Sequence, residues 1–301
     1  MRYAVAHGRR RSTRPAGLIT LLRADGHQVV EVAADTLAQA RAACAALVAD
    51  GLDVLVVAGG DGLVSMGTDL CAGTPTALGI LPGGTGNDNA RSLGIPVGRG
   101  AGDAAGVVAV LRADTRRTVD TLWLPEPGRH VLGSVNCALD ARIAARADAW
   151  PRRLGAASYT LAALVEVALL GRRPPLRFRL TVDGAPQTVD ALVLAPANMA
   201  YLGGGLPLAP RADPTDGLLD LVVISPVGPR EALGLLRAVR AGRHTGHPAV
   251  RIVQAREVHV EVHVEGPGGV LAHGDGEPVG PLPLTVRVDP ASLQVVAPTL
   301  T

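Results

Sequence analysis

Residues 52–96, LDVLVVAGGDGLVSMGTDLCAGTPTALGILPGGTGNDNARSLGIP, constrain the fold more than any other stretch of this chain. They contain two apolar runs, residues 54–58 and 77–81, and each stops abruptly in a glycine-rich turn. The first turn is Gly59-Gly60-Asp61-Gly62; the second is Pro82-Gly83-Gly84-Thr85-Gly86-Asn87-Asp88. An apolar, β-branched run closed by clustered glycines reads as a buried strand entering a loop. Two such loops at the same end of neighbouring parallel strands build one concave site at the strand C-termini. Glycine lets backbone N–H groups approach a ligand with no Cβ in the way. Such loops suit phosphate, above all where a helix begins just after them. Thr85 and Asn87 add side chains able to bond phosphate or ribose oxygens. Asp61 and Asp88 would repel a bare phosphate, so each needs Mg²⁺, a hydroxyl or a structural donor as its partner.

Around this stretch, strand and helix patterns alternate through residue 113. Residues 1–6, 28–32 and 118–124 read as strands, and residues 17–26, 36–47 and 107–111 as helices. That alternation implies a parallel sheet with helices on both faces. After Pro125 the texture changes to short alternating segments at 131–137, 176–182, 188–194, 218–224, 257–265 and 284–288. Many short strands with Pro and Gly turns predict an antiparallel sandwich or barrel. The fold class is therefore α/β plus β: a doubly wound parallel N-terminal domain carrying the GGDG loop, then a β-rich antiparallel, sandwich-like second domain. In residues 257–265, EVHVEVHVE, the valines face in, and the Glu and His residues need be no more than a solvated strand face. Residues 157–170, with Glu166 as their one charge, read as an apolar helix that either packs on the second sheet or meets lipid. Arg172 and Arg173 follow it, where cations complement the helix dipole or suit anionic headgroups.

Charge narrows the function classes. The chain of 301 residues carries a net +2, too little to point to nucleic acid. All 29 basic residues are arginine, so arginine must do whatever lysine would do at a phosphate. Cys44, Cys71 and Cys137 are too widely spaced for a metal-ligand group and read as reduced thiols. The N-terminus shows no apolar signal core, and the charge-free residues 191–210 contain too much Pro and Gly to span a membrane.

GGDG followed by PGGTGNDNAR-LGIP resembles the lipid kinases of the diacylglycerol kinase and sphingosine kinase family, with more distant likeness to NAD kinases. The resemblance extends over most of the chain. It implies that ATP docks on Gly59, Gly60, Asp61 and Gly62 and on Gly83, Gly84, Thr85, Gly86, Asn87 and Asp88, and that Asp120 faces the active site. A plain strand-end carboxylate remains open for Asp120. Residues 198–224, NMAYLGGGLPLAPRADPTDGLLDLVVI, match the stretch in which bacterial members hold a structural Mg²⁺. Carried over, Asp216 is the side-chain ligand and Leu218 a carbonyl ligand. Gly274-Asp275-Gly276-Glu277 matches the catalytic turn, with Asp275 as general base and Glu277 as its support. The tail at 293–296 resembles the family's last strand, which returns to the first domain. The expected domains are then 1–124, completed by about 290–301, and 125–289.

The sequence also departs from the family. The Asn-Pro-x-Ser-Gly motif is replaced by the basic residues 7–15, in which Arg9, Arg10, Arg11 and Arg14 either screen phosphate or are simply solvated. Leu63 and Met66 stand where Thr and Glu are usual, and Ala138-Leu139-Asp140-Ala141 replaces Gly-Phe-Asp-Ala. The expected function is ATP- and Mg²⁺-dependent phosphorylation of a lipid hydroxyl, most simply diacylglycerol to phosphatidic acid. The alternatives are an NAD kinase-like enzyme and a nucleotide-binding sensor or scaffold impaired in catalysis. A cytoplasmic protein, peripheral at the inner membrane face, without nucleic acid and able to form a homodimer, completes the expectation.

Overall fold

The computed structural model describes residues 1–9, 15–84, 86–98, 101–139, 143, 146, 150, 161–162, 164–166, 169, 175–263 and 270–299. Two compact units emerge: Met1–Thr121 with Pro290–Thr301, and Leu122–Asp289. Sequence reading instead places the boundary at Pro125, whereas the chain passes from one unit to the next inside a strand.

The first unit runs β1 (Arg2–Gly8), α1 (Ala16–Ala24), β2 (Gln28–Ala34), α2 (Leu37–Ala49), β3 (Val54–Gly59), α3 (Asp61–Cys71), β4 (Ala77–Pro82), α4 (Asp88–Ser92), α5 (Ala101–Ala113) and β5 (Arg116–Leu124). The order β2-β1-β3-β4 is parallel throughout, and the last strand of the chain adds parallel to β4 through Val295 and Val296. Every residue of β3 is buried, as expected of a strand covered on both faces. Adjacent residues of β4 show which helices do the covering. Leu78 lies beside Gly67 of α3, whereas a Cβ on Gly79 would meet Leu111 of α5 at 2.9 Å. Successive strand residues point to opposite faces, so α3 and α5 lie on opposite sides of the sheet. Thr36 caps α2 by accepting the Gln39 N–H at 3.2 Å, a contact that stabilises a helix by roughly 1 kcal/mol.

The parallel α/β expectation for this unit holds with one antiparallel strand added, and one loop expectation needs correction. The sheet is mixed: Thr115 accepts the Ala297 N–H at 3.1 Å while Thr121 meets Ser292 at 2.8 Å, so β5 runs antiparallel to the last strand. Residue 7 is also not a loop residue. β1 continues through Gly8, and His7 is buried with its Nε2 2.8 Å from Glu31.

The second unit contains β6 (Arg129–Val131), β7 (Val135–Asn136), β8 (Leu176–Val182), β9 (Ala185–Ala191), β10 (Val193–Ala197), β11 (Tyr201–Leu202), β12 (Leu206–Pro207), β13 (Leu219–Ile224), α6 (Pro229–Arg240), β14 (Val250–Ala255), β15 (Glu257–His263), β16 (Leu271–Gly274), β17 (Glu277–Pro281) and the first part, up to Asp289, of β18 (Leu284–Val296). Antiparallel pairing links β18-β15-β8-β9, β10-β13-β14 and β17-β16-β7. Phe178, Leu180, Val258, Val260 and Val286 from the first sheet pack with Leu219, Leu221 and Val223 from the second in one core. The other face of β13, Val222 and Ile224, packs with Leu235 and Val239 of α6. The β13 strand is thus buried on both sides.

The alternation in β15 is as read: Val258 and Val260 are buried, while Glu261 pairs with Arg179 at 3.4 Å on the outer face. No group of three or more His, Cys, Asp and Glu side chains among the described residues is clustered as metal ligands would be. Two strands predicted as single are each broken. The predicted strand 131–137 becomes β6 and β7, and 188–194 becomes parts of β9 and β10. Arg10, Arg11, Arg14, Asp140, Arg172, Arg173 and most of residues 157–170 lie outside the described residues. Within that last stretch Glu166 is buried and receives the Arg146 Nε–H at 2.7 Å, so the one charge of the helix is neutralised internally.

Candidate functional site

The two glycine turns of the first unit form one interlocked structure. The Gly83 N–H donates to the Gly59 carbonyl at 2.8 Å, continuing the β3–β4 pairing beyond the strands. A Cβ on Gly84 would lie 2.5 Å from the Gly60 Cα, and one on Gly86 would lie 2.7 Å from Asp61 Oδ2. Backbone meets backbone at the first position, so only glycine fits there. Gly60 precedes α3 and offers no capping side chain, which leaves the first-turn N–H groups without a side-chain cap.

Asp61 supplies the clamp. Its Oδ2 accepts the Asn87 N–H at 3.1 Å and its Oδ1 accepts the Asp88 N–H at 3.2 Å. The structural donor demanded by this carboxylate is therefore the second turn itself. Asn87 adopts φ 54 before α4 and closes its own loop: Oδ1 accepts the Gly84 N–H at 2.9 Å, and Nδ2 donates to the Gly84 carbonyl at 3.1 Å. Both side chains thus shape the phosphate-type loop rather than stand open toward a ligand. Thr85 lies outside the described residues. Asp120 is buried in β5, and its Oδ1 accepts the Ala291 N–H at 2.7 Å, which anchors a residue at φ 51 in the returning strand. Met66 is buried in α3, and the Leu63 side chain lies 2.5 Å from where a Gly59 Cβ would be, so both family departures are absorbed by packing.

In the second unit Asp275 and Gly276 form the two-residue turn between β16 and β17, with φ 50 and 84. Positive φ at both central positions is the hairpin geometry that an Asp-Gly pair favours. The turn is not a plain exposed hairpin, however. Asp275 Oδ2 accepts the Leu132 N–H at 3.0 Å, and Oδ1 accepts those of Gly133 at 2.9 Å and Ser134 at 3.3 Å. The Asp275 N–H returns a bond to the Ser134 carbonyl at 3.1 Å. An ionised carboxylate has about four lone-pair directions, and three are engaged by this backbone cradle. The cradle is why the strand predicted at 131–137 is interrupted: residues 132–134 turn their N–H groups to Asp275 instead of to a neighbouring strand. Sequence reading overlooks these three residues, although a Gly-Ser pair inside an apolar run signals a break. Gly274 is required by space, because a Cβ there would meet Val131 at 2.7 Å and Val279 at 2.8 Å. Glu277 opens β17, half-buried, directly across from Gly274.

Asp216 lies on an exposed Asp-Gly turn, with Gly217 at φ 74. Its Oδ1 accepts the Leu218 N–H at 2.9 Å and its Oδ2 the Gln254 amide at 3.2 Å. Burial, and then the charge of Asp216, push the neighbouring Asp220 carboxyl up to about 6. The carboxylates of Asp216 and Asp220, close enough to repel, form a hard oxygen set. It fits Mg²⁺ in the way that ion prefers, with one or two carboxylates and several retained waters rather than a protein cage.

The diacylglycerol kinase catalytic domain matches residues 6–124, and the YegS C-terminal NAD kinase beta sandwich-like domain matches residues 133–297. A diacylglycerol kinase of Mycobacterium tuberculosis is 36% identical over 288 residues, covering 94% of this chain and 89% of the relative. A Pseudomonas aeruginosa protein named "probable lipid kinase YegS-like" is 30% identical over 301 residues, covering 99% and 89%. A solved structure of a diacylglycerol kinase from Bacillus anthracis superposes with a TM-score of 0.71 at 18% identity, over 99% of this chain and 96% of that one.

Proposed function

The chain belongs to the diacylglycerol kinase-like family of lipid kinases, and from that premise we propose that it phosphorylates diacylglycerol to phosphatidic acid with ATP. The observation that carries the choice of acceptor is that the relative matching 94% of this chain is itself named a diacylglycerol kinase. The division of labour we propose follows the domains read from sequence, 1–124 with 290–301 against 125–289. In the first, Gly59–Gly62 and Gly83–Asp88 hold the ATP phosphates through backbone N–H groups at the start of α3, with Thr85 adding its hydroxyl and Asp120 bordering the site. In the second, Asp275 takes the proton from the acceptor hydroxyl as its oxygen attacks the γ-phosphorus. The bond from that phosphorus to the β,γ-bridging oxygen breaks, and ADP leaves. Glu277 orients the incoming hydroxyl. Mg²⁺ on Asp216 and the Leu218 carbonyl would fix the Asp-Gly turn and offset the repulsion between Asp216 and Asp220.

Phosphoryl transfer asks mainly for positioning and charge stabilisation, and a positioned base adds roughly 10²–10⁴ in rate. The cradle makes Asp275 a well-fixed base and a structural residue at once. Asp275→Asn should therefore lower kcat by about 10²–10⁴ with ATP affinity unchanged. It should also cost about 2 kcal/mol of stability, because an amide NH₂ then faces a backbone N–H. Calorimetric ATP titration, single-turnover transfer and a denaturant melt separate these effects. Transfer within a factor of two or so of wild type would remove Asp275 from the role of base.

A further inference from the structure

We propose that the exposed face of α6 docks the enzyme electrostatically on anionic lipid bilayers, an inference that rests on the lipid-kinase reading above. Ala232, Leu235 and Val239 turn one side of this helix into the core, which leaves the opposite side to solvent. Arg230, Arg237 and Arg240 are exposed on the helix, and Arg243 is exposed just beyond its end. Arg230 and Arg237 are seven residues apart, two helical turns, and so lie nearly in line. No ion pair with a described residue involves any of these four guanidinium groups. The single acid of the helix, Glu231, faces His247 at 3.7 Å instead.

Local charge is concentrated here. Residues 229–243 hold four arginines and one glutamate, a net +3, so the remaining chain, from a total of +2, is net −1. Helix stability does not account for the pattern. Cations in the last turn complement the dipole, which would explain Arg237 and Arg240, but Arg230 stands in the first turn, where a cation is unfavourable. A planar row of guanidinium groups matches phosphodiester headgroups bidentately. The apolar side of α6 is already packed, so the helix offers charge and not insertion. A net negative remainder suits flat contact through one face more than wrapping by a nucleic acid.

The test compares wild type with the variant Arg230→Gln, Arg237→Gln, Arg240→Gln, Arg243→Gln. Both are sedimented with vesicles of phosphatidylcholine alone and of phosphatidylcholine mixed with phosphatidylglycerol. Each guanidinium near such a surface contributes about fivefold, so loss of all four should weaken binding to the mixed vesicles by roughly several hundredfold. High salt should release wild type to the same extent. The melting temperature, and transfer to a short-chain diacylglycerol in detergent micelles, should match wild type. Equal vesicle binding by variant and wild type would overturn the proposal, as would wild type ignoring phosphatidylglycerol. Salt-sensitive capture of duplex DNA through these arginines, without vesicle binding, would overturn it in favour of a nucleic-acid surface. Arginine-dependent vesicle binding by a protein that phosphorylates no lipid would support the surface and refute the lipid-kinase reading instead.

Discussion

Asp61 and Asp275 illustrate one device at the level of single residues: a carboxylate placed in a glycine turn and bonded to backbone N–H groups of a distant segment. Asp61 reaches 26 positions along the chain to Asn87, and Asp275 reaches 143 to Leu132. That each acid needs a partner is legible in the sequence, because a bare carboxylate beside phosphate is repulsive. Which partner it takes is not, since backbone donors carry no side-chain signature. Asn87 shows the same limit. Its residue type suggests a ligand contact, yet the fold uses both ends of its amide to close the Gly84 turn. Hydrogen bonds to a charged acceptor contribute about 1.5–3 kcal/mol each, so the two at Asp61 hold the second turn substantially in place. Asp61→Ala should therefore weaken ATP binding on the order of a hundredfold, with Asp61→Asn falling between that variant and wild type. Titration calorimetry with ATP measures it directly, and unchanged affinity in both variants would show that the second turn keeps its shape without the clamp.

Among the elements, β3, β4 and the turns after them are the most legible, because an apolar β-branched run ending in glycines has few other solutions. The region from residue 129 to 136 is the least legible. Apolar residues, Val131, Leu132 and Val135, flank the break between β6 and β7; Gly133-Ser134 marks it, but its cause lies in the turn between β16 and β17. Hydrophobic pattern cannot register a strand interrupted by a distant carboxylate. The α6 helix is a different case. Its Pro at the first position, first-turn Glu231 and last-turn arginines form a helix signature that a strand-by-strand reading of the second half passes over. The packing of β16 supports a sharp expectation. Gly274→Ala places a methyl against Val131 and Val279, and overpacking of this kind costs about 1–3 kcal/mol. Adding Val279→Ala to that variant should restore part of the loss in a denaturant melt. A single variant as stable as wild type would mean that β16 and β17 can spread without cost.

The whole molecule is built from a discontinuous first unit and an inserted second one. Leu293, Val295 and Val296 of β18 are buried, and that strand completes a sheet begun almost three hundred residues earlier. The family resemblance made this return legible; composition and periodicity alone would leave the tail as one more short strand. Net charge is equally uninformative taken over the full chain, since +2 conceals the +3 of residues 229–243. No helix among the described residues is long and apolar enough to cross a membrane. The most direct measurement is transfer of labelled γ-phosphate from Mg·ATP to diacylglycerol, monoacylglycerol, ceramide and sphingosine in micelles, with NAD as the aqueous control. Label should enter diacylglycerol and disappear with Asp275→Asn. Label on NAD alone, or nucleotide bound and never turned over, would contradict the account.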